Sequence, residues 1–432
     1  MAYKMHELSA LDAAAAIGRG QFKAAEYMGG LLSRIEAREP DVQAWQYLSR
    51  ELALEQARKL DARQDLQQLP LAGVAVGIKD IIDTAEMPTE NGTVLDEGRR
   101  PSADAEVVRL LREAGCVIMG KTVTTELAYM SPSKTRNPHN AAHTPGGSSS
   151  GSAAAVAAAM VPVALGTQTN GSVIRPASFC GIYALKPTFG LFPKAGVLEE
   201  AGTLDTLGVF ARSLSDVAAV AEVLAEGTAI PAAPANFLKA AQEKLTAPRY
   251  CFVKTPAWSV AEDATKEAFE TFAESLGSRC EPMDLPPEFD KAIDFHRTIM
   301  MTEIALNFGH YYERGRDRLS AQMRSAIETG QQILARDYAE ALRERENLYC
   351  LLQEILKPYD AVITPPASGP APHGLDTTGN PIFCTLWTFL GVPAMNLPLL
   401  KLNGMPLGVQ LTGARLKEET LFRAAAALTN DF

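Results

Sequence analysis

At 432 residues the chain exceeds the usual length of one domain, although a single α/β domain can run this long, and at 47% hydrophobic it can bury a large core. Its net charge of −10 comes without any dense Lys/Arg cluster. That argues against nucleic acid or an anionic membrane as partner, since both need a basic surface. Six scattered cysteines with no CxxC pattern fit a reducing compartment. Residues 1–21 lack the basic start and apolar core of a signal peptide. The most apolar stretch, 153–165, is too short to span a bilayer and contains Pro162. The expected setting is the cytoplasm.

In chain order, residues 7–65 read as helices: Leu31, Leu32 and Ile35 keep helical spacing, and 51–61 is rich in strong helix formers. Residues 71–78 (LAGVAVGI) form a β-branched, apolar run typical of a buried strand. A helix is predicted over 105–114 with Val107, Val108, Leu110 and Leu111 inward, terminated by Gly115, and a short strand over 116–119. Helical and strand patterns alternate again at 153–167, 216–226 and 248–277, and 361–364 reads as a strand. This alternation predicts an α/β protein, a three-layer α/β/α fold with a large mixed β-sheet between helices. No linker or repeat breaks the chain, so one domain over 1–432 is expected, with the helix-rich 285–357 as a layer that contributes to a substrate channel.

Gly and Ser crowd into 145–151 (PGGSSSG), followed by a helix of small residues over 152–160, a strand, and a second polar turn at 166–175 (GTQTNGSVIR). Two hydroxyl-bearing turns bracketing one compact helix bring their serines near each other. On composition alone such clusters are more often loops and helix N-caps.

What favours chemistry is that residues 70–195 closely resemble the amidase signature family. The match runs through 73–80 (GVAVGIKD), 120–122 (GKT), Glu126, 145–151, 166–177 and 181–190 (GIYALKPTFG), and returns weakly at 391–393, Pro398 and 406–410 (PLGVQ). The resemblance implies a Ser–cis-Ser–Lys triad in which Lys79 is the base, Ser148 the cis-serine and Ser172 the nucleophile. The 24 positions between the two serines match the family's interval. It further implies that the backbone N–H groups of Thr169, Asn170, Gly171 and Ser172 form an oxyanion hole, and that Tyr129 and Met130 line the acyl pocket. Trp387 and Phe389 are candidates for the channel mouth.

The implied mechanism is self-consistent. A serine hydroxyl needs a base, and a lysine serves only when neutral, which burial favours. Asp80 would oppose this, but adjacent residues of an extended chain point to opposite faces. The expected reaction is hydrolysis of carboxylic amides, aryl amides included, through an acyl-enzyme on Ser172; esters or carbamates fit the same chemistry. The substrate is then a small-molecule amide, with no metal or organic cofactor, and a homodimer is compatible with the resemblance. The alternative is a glutaminase-type amidotransferase subunit working with a transfer-RNA-binding partner.

The sequence departs from the family's second turn in three places. Gln168 replaces an acid, Asn170 replaces a glycine, and Arg175 falls one place later. The first and third suggest a rearranged structural ion pair, and Asn170 is expected to tolerate a left-handed backbone. Ser150 also stands where a glycine is common. Two other motifs compete and fail on context. Residues 115–122 (GCVIMGKT) satisfy the P-loop expression, but their interior is apolar and strand-like, and a helix precedes them. Residues 147–151 (GSSSG) satisfy the nucleophile-elbow pattern at Ser149, but a loop precedes them. His139 and His143 lie in a Pro-containing loop, where helical metal-ligand spacing does not apply.

Overall fold

The computed structural model describes residues 4–230, 236–243, 245 and 247–432; the first three residues of the amino-terminal stretch read for a signal peptide lie outside these. Among the described residues, eleven strands form one mixed sheet. In chain order they are β1 (Trp45–Leu48), β2 (Ala75–Lys79), β3 (Val117–Thr122), β4 (Val163–Gln168), β5 (Tyr183–Lys186) and β6 (Thr206–Ala211). They continue with β7 (Tyr250–Lys254), β8 (Cys280–Asp284), β9 (Ala361–Thr364), β10 (Ala394–Leu402) and β11 (Met405–Thr412). Their spatial order is β1-β3-β2-β4-β6-β5-β10-β11-β9-β7-β8. Strands β3, β2 and β4 are mutually parallel, β9, β7 and β8 likewise, and the strands between are antiparallel.

Side-chain alternation sorts the sheet into two faces. Val76, Ile78, Ile118, Val163 and Leu165 enter one core, with the helices Glu106–Glu113 and Leu214–Ala225. Ala75, Val117, Met119 and Ala164 enter the other, with Ala24–Val42 and Ser150–Ala157. The second face is built of smaller residues, and the helix lying on it is buried from Ser150 through Val156. Only small side chains let that helix sit so close: a Cβ at Gly166 would fall 2.6 Å from Ser149 Oγ. By the same alternation Lys79 shares the face of Ala75, under that helix.

The expected helices and strands are present, with shifted edges. Residues 7–65 hold the helices Ala10–Gly18, Ala24–Val42 and Arg50–Asp61, and also β1, a four-residue strand pairing with β3 that the helical spacing around it obscured. The strand expected over 71–78 begins only at Ala75, and the one expected over 116–119 runs on to Thr122. The small-residue helix starts at Ser150, closing its first turn on the Ser149 carbonyl, and ends near Ala159, which has φ 57°. Gly115, after the helix Glu106–Glu113, has φ +94°, the left-handed backbone expected of a helix terminator.

Residues 285–357 fold as three helices, Ala292–Gly315, Ala321–Gly330 and Ala335–Leu356, around a third core. Polar anchors tie this cover to the sheet side: Arg314 Nη2 donates to Asp96 Oδ1 at 2.7 Å, and Thr203 Oγ1 to Glu303 Oε1 at 2.6 Å. Among the described residues, no helix is long and apolar enough to cross a membrane.

Candidate active site

Strands β2 and β4 run parallel and side by side, so Lys79 and the end of β4 emerge at the same edge of the sheet. Open α/β sheets place ligands outside such carboxyl ends. Ser149 carries the small-residue helix to this edge. Its Oγ accepts the N–H of Thr167 and donates to the Thr167 carbonyl, both at 3.2 Å. Ser148, one residue earlier, is thereby set beside Lys79.

Lys79 is fully buried, and its Nζ donates to Ser148 Oγ and Thr167 Oγ1, each at 2.7 Å. The Gly147–Ser148 peptide bond is cis. Burial brings the Lys79 ammonium down to about 7, against the upward pull of Glu200 and Asp205. Asp80 turns away to Lys121, 3.6 Å off, and takes the Glu90 N–H on its other oxygen. The expected separation of Lys79 and Asp80 onto different faces therefore holds.

The second turn leaves β4 and enters the helix Ile174–Cys180. Its backbone is pinned from several sides. Gln168 Oε1 accepts the N–H groups of Val173 and Ile174, at 2.9 and 3.0 Å, and its Nε2 donates to Thr388 Oγ1. His296 bonds through Nε2 to the Thr169 carbonyl at 2.9 Å; the carbonyl only accepts, so this nitrogen carries the proton. Burial lowers the His296 pKa to about 4, leaving the ring neutral at ordinary pH. Thr388 Oγ1 donates to the Asn170 carbonyl, and Thr385 Oγ1 to Asn170 Oδ1. Among the described residues, none accepts a hydrogen bond from the N–H of Asn170, Gly171 or Ser172. Ser172 is half-buried in this turn, and its hydroxyl makes no hydrogen bond to Ser148. The structure thus joins Lys79 to Ser148 and places Ser172 in a turn with free N–H groups.

Two expectations about the turn need correction. Asn170 is not among the described residues with positive φ, so it replaces a glycine without needing left-handed backbone; its side chain instead bonds Thr385. Arg175 takes part in no rearranged ion pair. Fully buried, it donates from Nη2 to the Gly147 carbonyl at 2.7 Å and to Thr378, while its Nε and Nη1 have no partner among the described residues. Burial lowers its pKa to about 10. Ser150 is structural, donating to the Gly146 carbonyl.

A cleft of 570 Å³ opens beside the turn, lined by Tyr129, Met130, Asn170, His296, Met300 and Ala326 among others. Tyr129 and Met130 thus face this cleft, and the 285–357 helices supply one of its walls. Trp387 and Phe389 do not reach it; both are buried in the third core. The P-loop reading fails because 117–122 is buried strand and Lys121 bonds to the Ile82 carbonyl and Thr89. The elbow reading fails because a loop, not a strand, leads into Ser149, and its hydroxyl is spent on Thr167. His139 and His143 bond to the Cys180 and Ala371 carbonyls, and no group of three metal-ligating side chains forms among the described residues.

Sequence reasoning missed Thr167, His296, Glu200 and Asp205. Thr167 lies inside the polar turn motif 166–175, so its position was a usable signal. The other three reach the turn from outside it, and no local pattern marks them.

The α/β/α sheet and this polar edge, together with likenesses to known proteins, define an amide-hydrolysing enzyme. A family model described as Amidase matches residues 26–422, and the chain belongs to that family, the amidase signature family. The chain is 32% identical to one of the subunits of glutamyl-tRNA(Gln) amidotransferase from Chloroflexus aggregans, covering 98% of this chain and 96% of that one. It superposes on a peptide amidase from Stenotrophomonas maltophilia with TM-score 0.84 and 26% identity, over 98% of this chain and 97% of that one. A further solved amidase matches with TM-score 0.88 and 27% identity, over 98% of this chain and 100% of the other.

Proposed function

We propose that this enzyme hydrolyses carboxylic amides, aryl amides included, through an acyl-enzyme on Ser172, with esters or carbamates within the same chemistry. One observation carries the reading: a fully buried lysine amine lies 2.7 Å from a serine hydroxyl at the mouth of the second turn. Lys79, neutral, takes the proton of Ser148 while Ser148 takes that of Ser172. The N–H groups of Thr169, Asn170, Gly171 and Ser172 receive the developing oxyanion, and each such donor is typically worth about 2.7–4 kcal/mol. The relay reversed protonates the leaving amine, and water releases the acid. The unbroken eleven-stranded sheet supports reading the chain as one domain.

The test is turnover of anilides, aliphatic amides, esters and carbamates by the purified chain, with Ser172→Ala as the blank. Turnover that vanishes in the variant supports the nucleophile; equal rates in both overturn it. A second reading, a glutaminase subunit feeding ammonia to a partner that holds charged transfer RNA, draws support from the amidotransferase relatives. Glutaminase activity that depends on co-expressed partner subunits favours that reading. Turnover of simple amides by the chain alone favours the first.

A further inference from the structure

Behind the second turn lies a buried pair of acids. Glu200 and Asp205 both reach the hydroxyl of Thr169: Oγ1 is 2.9 Å from Glu200 Oε2 and 2.5 Å from Asp205 Oδ1. Both carboxyls are buried. Each of these oxygen–oxygen contacts needs a proton between its atoms, and the threonine hydroxyl has one to give. The second proton must therefore sit on a carboxyl.

Geometry decides which. Asp205 Oδ2 accepts the N–H groups of Glu200 and Ala201, at 2.8 and 3.0 Å, fixed donors that favour its ionised form. Among the described residues, Thr169 is the sole hydrogen-bond partner of the Glu200 carboxyl. The other ionisable groups acting on the pair are Lys79 from β2, Lys194 from the loop before Glu200, and Tyr129 from the cleft wall. With Lys79 neutral as a base, a second negative charge here would meet that of Asp205 among buried groups.

We infer that Glu200 is a protonated carboxylic acid while the enzyme turns over, and that it positions the 169–172 turn by donating its proton to Thr169 Oγ1. The chain of donors runs from Glu200 Oε2 to Thr169 Oγ1 to Asp205 Oδ1. It locks the side chain of the first turn residue, while His296 holds the carbonyl of the same residue. The electrostatics agree: burial, then the charge of Asp205, push Glu200 well above the usual carboxyl range, whereas Asp205 rises only to about 6. Glu200 is a positioning residue, since it acts on the reaction through Thr169. This role rests on the proposed oxyanion function of the turn; the protonation state does not.

Two substitutions and one spectrum test it. Glu200→Leu removes the donor and should lower kcat by about tenfold or more with a smaller change in KM. Glu200→Gln keeps a neutral donor at the same place and should restore most of that loss. Infrared difference spectra at neutral pH, wild type minus Glu200→Gln, should show a protonated-carboxyl C=O band belonging to the wild type. A Gln variant as impaired as the Leu variant, or a Leu variant with undiminished kcat, overturns the positioning role. The absence of the band overturns the protonated state. The spectrum needs no substrate, so it stands even if Ser172→Ala disproves the nucleophile.

Discussion

Thr167 Oγ1 lies 2.7 Å from Lys79 Nζ, the same distance as Ser148 Oγ on its other side. A neutral amine has two hydrogens and one lone pair. Giving a hydrogen to Thr167 leaves the lone pair to face Ser148, which is the orientation a base requires. Thr167→Val keeps the shape and removes the acceptor. With the amine no longer oriented toward Ser148, kcat should fall about tenfold or more while KM moves little. Steady-state kinetics of the folded variant check this.

In the proposed relay Lys79 serves as the base, which it can do only without its proton. Burial brings its pKa to about 7, so lowering the pH through that value protonates it and removes activity. The acid limb of kcat/KM should bend near pH 7 and then fall about tenfold per unit, as for a single proton. Lys79→Met should abolish turnover yet leave a folded protein, because an apolar chain of similar length replaces a buried amine. A pH–rate profile and a thermal melt test both halves.

Gln168, which stands where the family pattern has an acid, ties the second turn to its surroundings. Its oxygen takes two N–H groups at the start of the helix Ile174–Cys180, and its amide reaches Thr388. Gln168→Leu leaves these buried donors unmet and should cost about 2–4 kcal/mol of stability, along with activity. Gln168→Glu keeps the acceptor and should lose less stability, as differential scanning calorimetry on the two variants would show.

Arg175 presents the opposite balance. Its guanidinium is buried with no carboxylate partner, yet it holds the Gly147 carbonyl next to Ser148. Replacing an uncompensated buried charge with an apolar side chain is often neutral or stabilising. Arg175→Met should therefore keep its Tm within a few degrees while kcat falls by about tenfold, as the Ser148 peptide loses its anchor. A large fall in Tm with unchanged kcat in the surviving protein would contradict this.

The sequence made legible what is written locally. The run into Lys79, the small-residue helix after Ser149 and the polar turn after β4 each carry their own pattern, and the structure has all three. Strand β8 escaped notice because it lies at the edge of the sheet, half-exposed and interrupted by Pro282. Strand β10 contains Pro398, and β1 is a four-residue insertion among helices. Glu200, Asp205 and His296 were invisible for another reason. Each meets the turn through tertiary contact across 31 to 127 positions of chain, and a buried acid looks like any surface acid in a sequence.

The cleft wall and the polar edge belong to different layers, joined by anchors such as Asp96–Arg314 and Thr203–Glu303 away from the cleft lining, and within it by His296, which holds the Thr169 carbonyl. Met300, Ala326 and Thr329 face the cleft from helices that contribute neither Lys79 nor the serines. His296 apart, the cover's inward residues can therefore change at a different speed from the sheet edge. A lineage is free to exchange those inward residues, and with them the shape of the cleft, while the sheet edge stays fixed. Directed evolution of new substrates should begin there.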